Sequence, residues 1–211
     1  MKVFGDIADN IQKGNLNAVV SLVKTSLSEG IPVEDILNNG LIEGMNIIGE
    51  KYKRNECFIP EILVAARAMN GGLNILKPLL IEAKVKAKGK VVIGTVKGDL
   101  HDIGKNIVGM MLQGAGFDVV DLGTEATKEK FLDAARKEKA DILGMSTLLT
   151  TTMLYMREVV EKLKEAGLRN KVKVIIGGAP VTQAYADQIG ADGYAPDAAS
   201  GVDLCKRLLG I

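Results

Sequence analysis

The second part of the chain alternates between short apolar runs and longer stretches of helical spacing, and this alternation limits the possible folds more than any other feature. The runs Val91-Val92-Ile93 and Val174-Ile175-Ile176 are apolar without alternation, which is typical of strands covered on both faces. Because about ten or more helical residues separate successive strands, the strands must be parallel and joined by right-handed crossovers. The pattern predicts an α/β domain with a doubly wound, five-stranded parallel sheet of flavodoxin-like order, a Rossmann-like fold.

The predicted elements of this domain follow one another in a regular order. The strands span 91–95, 117–121, 141–146, 172–176 and 192–195. The helical stretches span 104–115, 127–138, 151–167, 181–189 and 199–209. Since the carboxyl ends of parallel strands lie at one edge of a sheet, we expect the loops after the first, third and fourth strands to share that edge.

The first part of the chain contains only helical patterns. Apolar residues recur at helical spacing within 16–27, 36–48 and 62–73. Pro32 and Pro60 suit first helical turns, because the N–H group that proline lacks has no partner there. The pattern predicts a four-helix bundle with a shared core.

A lysine-rich segment separates these two patterns. Lysines at alternate positions from Lys84 to Lys90 leave no apolar face to bury, which is typical of a solvated linker. We therefore expect two domains, a helical bundle at 1–87 and a sheet domain at 88–211.

The composition excludes several classes of function. With 27 basic and 26 acidic residues the net charge is +1, which gives no sign of an electrostatic surface for nucleic acid, and without tryptophan the chain offers little for base stacking. Cys57 and Cys205 form no C-x-x-C pair, as expected for reduced thiols of a cytoplasmic protein. The N-terminus lacks the apolar core of a signal peptide, and no stretch approaches the roughly 20 apolar residues of a membrane span. We expect a cytoplasmic protein without nucleic-acid or membrane partners.

The only histidine of the chain, His101, lies in the loop after the first predicted strand. Ligands of open parallel sheets bind at this position, and a neutral imidazole can bind a metal. Asp99 can accept a hydrogen bond from the other ring nitrogen, which fixes the tautomer and raises the basicity of the ligand. A surface or capping histidine is the alternative interpretation. Lys105 is expected on the helix surface, and nothing in the sequence ties Asp121 or Glu125 to chemistry.

Two further loops are expected at the same edge of the sheet. The first is hydroxyl-rich and spans 144–152, and the second carries Gly177 and Gly178. Hydroxyls can hydrogen-bond a buried ligand, and glycine lets a backbone approach it closely. Each loop alone has a plainer interpretation, because hydroxyl residues often cap helices and glycine pairs often form turns.

The segment 94–106, GTVKGDLHDIGKN, contains Asp-x-His-x-x-Gly and resembles the cobalamin-binding motif of corrinoid proteins and methionine synthase. In that family the histidine replaces the cofactor's own base below cobalt. The corrin nitrogens supply the in-plane ligands, so one protein ligand is enough. The resemblance implies a cobalamin or related corrinoid whose cobalt is bound by His101. The motif residues implied to contact the cofactor are Asp99, His101, Asp102, Ile103 and Gly104.

The resemblance extends over nearly the whole chain. It implies that Ser146, Leu148 and Thr150 contact the cofactor, whose nucleotide tail enters the domain, and that Gly177 and Gly178 flank the same channel. The stretches 44–52 and 58–63 resemble the helical cap domain that precedes the cobalamin domain. An aromatic residue at the position of Phe58 lies over the upper face of the corrin in that family and shields the methyl group. The segment 190–198 is similar to corrinoid proteins of methylamine and methoxyl demethylation.

The resemblance implies a methyl carrier. Such a carrier accepts a methyl group on Co(I) from a substrate:corrinoid methyltransferase and passes it from methyl-Co(III) to a corrinoid:acceptor methyltransferase. A reductive activator is a further expected partner. The cofactor supplies the chemistry, so we expect no catalytic residue in the chain itself.

Three other functions fit parts of the sequence. The cobalamin-binding subunit of a radical mutase shares the histidine loop but leaves residues 1–83 unexplained. A cobalamin-dependent sensor needs a DNA-binding module, and the chain has no basic recognition helix. A phospho-receiver on the same fold needs an aspartate at the end of the third strand, where Ser146 stands.

Overall fold

The structure is a computed structural model that describes the whole chain from Met1 to Ile211. The chain divides into two compact units. Unit 1 comprises Met1–Ala87 with Gln113–Gly116, and unit 2 comprises Lys88–Leu112 with Phe117–Ile211. The sequence did not predict that the short segment after Leu112 would group with unit 1.

Unit 1 is helical. Its helices are α1 (Lys2–Gln12), α2 (Leu16–Ser28), α3 (Val33–Asp35), a π-helical segment (Ile36–Ile42), α4 (Glu43–Lys53) and α5 (Ile59–Glu82). The three predicted apolar stripes fall in these elements, whereas α1 and the π-helical segment were not predicted individually. A shared core contains fully buried side chains from every long helix, among them Ile7, Ile11, Val19, Val23, Leu41, Ile48, Ile62 and Leu76.

Local signals explain where two of these helices begin. The Asn15 side chain accepts a hydrogen bond from the backbone N–H of Ala18 and caps α2. Pro60 lies in the first turn of α5, as predicted. The Glu61 carboxylate accepts a hydrogen bond from the Phe58 backbone N–H at 3.0 Å, so the start of α5 is fixed directly after an aromatic residue.

Unit 2 is a five-stranded parallel sheet of order β2-β1-β3-β4-β5, which confirms the predicted fold class. The strands are β1 (Lys90–Thr95), β2 (Asp118–Asp121), β3 (Ile142–Ser146), β4 (Lys173–Gly177) and β5 (Gly193–Tyr194). The helices are α6 (Ile103–Gly114), α7 (Lys128–Lys137), α8 (Met153–Glu165), α9 (Gln183–Ile189) and α10 (Ala198–Leu209). Both edge strands, β2 and β5, are short.

The register of the sheet brings three strand ends together. Thr95 at the end of β1 pairs with Ser146 at the end of β3, and Ser146 pairs with Gly177 at the end of β4. The central strands are buried on both faces, since Val91 and Val92 are each fully buried although their side chains point to opposite faces. The loops after β1, β3 and β4 therefore start from one carboxyl edge of a rigid sheet.

Candidate functional site

The loop that carries His101 is fixed at both of its ends. Directly after β1, the Asp99 N–H donates to the Val96 carbonyl oxygen at 3.2 Å and closes a turn. Gly98 has φ +90° in this turn, a conformation that a side chain rarely adopts. The buried Thr95 hydroxyl donates to the His101 carbonyl oxygen at 2.9 Å, which holds the histidine beside the end of the strand.

Asp99 and His101 form a hydrogen-bonded pair. The His101 backbone N–H lies 2.9 Å from Asp99 Oδ1, and His101 Nδ1 lies 2.7 Å from the same oxygen. Burial alone raises the pKa of Asp99, whose side chain is fully buried. Hydrogen bonds from the amides of His101 and Leu148 and from the side chains of His101 and Thr147 outweigh burial and hold that pKa well below its usual range.

The low pKa of Asp99 determines the tautomer of the histidine. An ionised carboxylate can only accept hydrogen bonds, so His101 Nδ1 carries the proton and donates it. The Nε2 atom of a neutral ring then keeps its lone pair. Because the His101 side chain is 54% exposed, this lone pair is available to a ligand that approaches from outside the sheet.

The second oxygen of Asp99 connects the histidine loop to the loop after β3. Thr147 Oγ1 donates to Asp99 Oδ2 at 2.8 Å, and the Leu148 and Leu149 amides donate to it at 2.6 and 3.3 Å. The Thr147 hydroxyl also lies 2.5 Å from the Thr152 hydroxyl. The predicted convergence of these two loops is therefore a direct hydrogen-bonded contact.

Sequence reasoning missed Thr147 because it stands in a run of hydroxyl residues without a distinguishing neighbour. In the structure Thr147 is 1% exposed and holds Asp99, whereas Thr150 is exposed and Ser146 is half-buried at the end of β3. Its position directly after the third predicted strand was the only available signal, and this position alone does not show that the hydroxyl reaches Asp99.

Exposed apolar side chains occur in both of the loops that meet at Asp99. Leu100 and Ile103, on either side of His101 in sequence, are 72% and 73% exposed. Leu148 and Leu149 of the second loop are also exposed, at 46% and 39%. Large apolar side chains exposed on two hydrogen-bonded loops form a surface suited to a largely apolar ligand.

The other residues of the motif lie at the start of α6. Asp102 is half-buried, and one of its carboxylate oxygens accepts a hydrogen bond from the Asn106 side chain at 3.0 Å. Gly104 is exposed, and a Cβ atom added to it would meet nothing within 4 Å. Neither the packing nor the backbone conformation of α6 requires a glycine at this position. The open space at Gly104, three residues after His101, is thus available to a bound group.

The two glycines at the end of β4 lie in close backbone contacts, and the contact at Gly178 excludes a side chain. A Cβ atom on Gly178 would lie 1.7 Å from the Thr147 carbonyl oxygen, and φ at this glycine is +127°. A Cβ atom on Gly177 would lie 3.2 Å from the Ala195 carbonyl oxygen. The Thr147 N–H donates to the Gly177 carbonyl oxygen at 3.2 Å, so all three loops meet around Thr147.

Lys105 corrects one prediction from the sequence. It was expected on the helix surface, but it is only 4% exposed. Its ammonium group lies 2.5 Å from Asp121 Oδ2 and 2.6 Å from Asn106 Oδ1. A lysine is rarely buried unless it is paired, and Asp121 at the end of β2 supplies the partner.

Phe58 belongs to unit 1, where it directly precedes α5. Its side chain is 63% exposed, and Ile59, Leu63 and Val64 next to it are also exposed. The first turns of α5 thus carry an apolar surface that no other part of unit 1 covers.

Two further observations restrict the chemistry. No group of three or more His, Cys, Asp or Glu side chains could hold a metal ion. A metal at His101 would therefore have to arrive with most of its ligands already in place. No helix is both long enough and apolar enough to span a bilayer.

Comparison with known proteins identifies relatives of both units. The family described as "B12 binding domain" matches residues 89–203, and a second family with the same description matches residues 3–77. A corrinoid protein of Desulfitobacterium hafniense is 41% identical over 213 residues, which cover 100% of this chain and 99% of the relative. A dimethylamine corrinoid protein of Methanosarcina barkeri is 45% identical over 205 residues, which cover 97% of this chain and 96% of the relative.

A solved structure extends this likeness to three dimensions. The methanol:cobalamin methyltransferase complex of Methanosarcina barkeri contains a chain that superposes with a TM-score of 0.91 at 32% identity. The match covers 99% of the present chain and 80% of that chain.

Proposed function

The chain belongs to the B12-binding family of corrinoid proteins, and on that premise we propose how its residues serve a methyl carrier. Its cofactor is cobalamin or a related corrinoid. When bound, the corrinoid supplies a cobalt centre that takes up and releases a methyl group. The chain itself supplies binding, orientation and control of the axial ligand.

The Asp99–His101 pair is the observation on which this proposal depends. Asp99 holds the proton on His101 Nδ1 and leaves Nε2 free, so Nε2 would be the axial ligand of the metal. Since the chain has no other metal-binding cluster, a cofactor that brings its own in-plane ligands fits this single histidine.

The surroundings of the imidazole fit a macrocycle. Leu100 and Ile103, close to His101 in sequence, offer exposed apolar surface, and Gly104 leaves open space where a side chain would stand. Asp102 completes the set of motif residues that we assign to the lower face of the corrin.

The loops after β3 and β4 would receive the nucleotide tail of the cofactor. We assign Ser146, Leu148 and Thr150 to contacts with it, because they lie at the edge of the sheet next to the Asp99–Thr147 hydrogen bond. Gly177 and Gly178 belong to the same assignment, since the backbone at these glycines approaches the neighbouring loops closely.

Unit 1 would act as the cap of the cofactor. Phe58 is exposed among other exposed apolar side chains, so unit 1 has an apolar surface available for a ligand. We assign to Phe58 the shielding of the upper face, in line with the family resemblance. The domain limits 1–87 and 88–211 belong to the same proposal.

The partners follow from the role of a carrier. A substrate:corrinoid methyltransferase would load the methyl group, and a corrinoid:acceptor methyltransferase would remove it. A reductive activator would restore the cobalt after accidental oxidation. The match to a chain of a methyltransferase complex supports the first of these partners.

Alternative functions explain less of the chain. A mutase subunit would leave unit 1 without a role, yet residues 3–77 also match a B12-binding family. The curated relatives that match almost the full length of the chain are named as corrinoid proteins, which favours the carrier over a sensor.

Isotope labelling tests the axial ligand. Because His101 is the only histidine, growth on ¹⁵N-histidine labels a single imidazole. The nitrogen splitting in the paramagnetic spectrum of the Co(II) protein should change from a triplet to a doublet upon labelling and should disappear in His101→Ala. Unlabelled and labelled protein with identical splitting would exclude His101 as the ligand.

A further inference from the structure

Glu125, in the loop between β2 and α7, has a backbone conformation that glutamate rarely adopts. Its φ is +55°, in the left-handed region. The other non-glycine residues of positive φ are Asn55, Lys84 and Lys139. Such a conformation persists only where surrounding contacts enforce it. Glu125 is the one among them that contacts the histidine loop.

The contacts of Glu125 all fall on the turn before His101. Its Oε1 atom accepts a hydrogen bond from the Gly98 N–H at 2.7 Å, and its own N–H donates to the Asp99 carbonyl oxygen at 3.3 Å. The next residue, Ala126, donates to Thr95 at 2.9 Å and accepts from Lys97 at 3.0 Å. The loop after β2 is thereby hydrogen-bonded to the histidine loop, as the loop after β3 is through Asp99.

Asp99 is consequently held by two different loops. Thr147 and Leu148 bind its carboxylate, whereas Glu125 binds its carbonyl group and the preceding N–H of Gly98. Gly98 has no side chain to restrain it, and its φ of +90° is one that glycine can leave at little cost. The charged carboxylate of Glu125 is the side-chain acceptor that holds this N–H, and a bond to an ionised acceptor is stronger than a neutral one.

We propose that Glu125 is a positioning residue, whose hydrogen bonds to the Gly98–Asp99 turn keep the Asp99–His101 pair in the geometry for axial coordination. The proposal rests on the assigned role of His101. Glu125 holds the backbone of Gly98 and Asp99. The hydrogen bond between the Asp99 carboxylate and His101 Nδ1 in turn orients the imidazole ring.

Three substitutions separate the effect of the Glu125 carboxylate from the effect of the strained backbone at this residue. Glu125→Gln keeps an oxygen acceptor, Glu125→Ala removes it, and Glu125→Gly removes it while relieving the left-handed strain. Lys139→Gly is the matched control, because Lys139 is also left-handed, at φ +51°, but lies in the loop before β3. It relieves comparable strain without changing the histidine loop.

Two measurements report on the proposal. In the apoprotein, hydrogen exchange at the Gly98 amide should become about tenfold faster in Glu125→Ala and Glu125→Gly, as expected for the loss of a hydrogen bond to a charged group. In the Co(II) protein, the same two variants should lose part of the histidine nitrogen splitting and shift the Co(II)/Co(I) potential. Glu125→Gln should largely restore both, and Lys139→Gly should change neither.

The outcomes distinguish this proposal from the proposed function. If wild-type protein shows the splitting but Glu125→Gly matches it in splitting, potential and Gly98 exchange, the positioning role is overturned and His101 remains the ligand. If wild-type protein shows no histidine splitting, the role of His101 is overturned, and the positioning role with it.

Discussion

Among single residues, Asp99 is the most heavily hydrogen-bonded side chain of the site. Its two oxygens accept five hydrogen bonds, from the His101 amide and ring, the Thr147 hydroxyl, and the Leu148 and Leu149 amides. Each bond to a charged acceptor contributes about 1.5–3 kcal/mol, and removing one donor leaves the buried charge less well satisfied. The conformations of both loops therefore depend on the charge of one residue.

Thr147→Val should weaken this arrangement while keeping its shape. Loss of the hydroxyl removes one donor to Asp99, so the free energy of unfolding of the apoprotein should fall by about 1–3 kcal/mol. Urea unfolding measures the change. Thr151→Val is the control, because Thr151 is exposed in the same segment and should change stability by less than about 0.5 kcal/mol. Equal stability of the two variants would contradict the role of Thr147.

Asp99→Asn should change how stability depends on pH. Because the pKa of Asp99 is lower in the folded than in the unfolded protein, its ionisation stabilises the fold above the ordinary carboxyl pKa of about 4. That contribution is lost as the pH falls through the lowered value. The difference in free energy of unfolding between wild type and variant should therefore be largest near neutral pH and shrink below about pH 4. Urea unfolding between about pH 2 and pH 7 measures it, and a difference independent of pH would argue against the lowered pKa.

The sequence allowed only part of these residue-scale roles to be predicted. The spacing of Asp99 and His101 was enough to predict their hydrogen bond, because both lie in one short loop. Thr147 and Glu125 reach the same loop from other strands, so their roles depend on strand register and on one left-handed residue. The presence of a threonine or a glutamate in the sequence predicts neither the register of the strands nor a left-handed backbone conformation.

Among the secondary-structure elements, those with strong patterns were predicted closely. The apolar run of β1 was expected at 91–95 and spans Lys90–Thr95. The π-helical segment Ile36–Ile42 was not predicted, because its apolar residues also satisfy α-helical spacing. There a Cβ atom on Gly40 would lie 3.2 Å from Ile7 Cγ2. The close contact of this segment with α1 is a tertiary feature that a pattern within one segment does not contain.

Helix α6 offers a test of the open space at Gly104. Gly104→Ala should stabilise the apoprotein by about 0.5–1 kcal/mol, because alanine favours a helix and the added Cβ meets no neighbour. The same Cβ should weaken corrinoid binding. Gly5→Ala is the control, since Gly5 lies in α1 with equally open surroundings and should stabilise the protein without changing binding. Thermal unfolding and titration with corrinoid measure the two effects, and unchanged binding in Gly104→Ala would show that the cofactor avoids this position.

In the molecule as a whole, the segment between α5 and β1 is the expected site of proteolytic cleavage. Lys84, Lys86 and Lys88 are exposed and follow the end of α5 at Glu82. Limited trypsin digestion should cleave there first, because exposed irregular backbone is cut more easily than helices or strands. Mass spectrometry of the first fragments identifies the site. The variant with all three lysines changed to glutamine should resist the first cleavage, and a first cut elsewhere would contradict the prediction.

The two edge strands of the sheet have a consequence for behaviour at high concentration. A long exposed strand edge invites another chain to pair with it, which leads to fibres. Here β5 has two residues, and β2 has four and begins and ends with the exposed carboxylates of Asp118 and Asp121. Little backbone is left for a second molecule to extend the sheet. A protein that exposes apolar side chains in the loops at the carboxyl edge of its sheet is thus protected against polymerising through its strands.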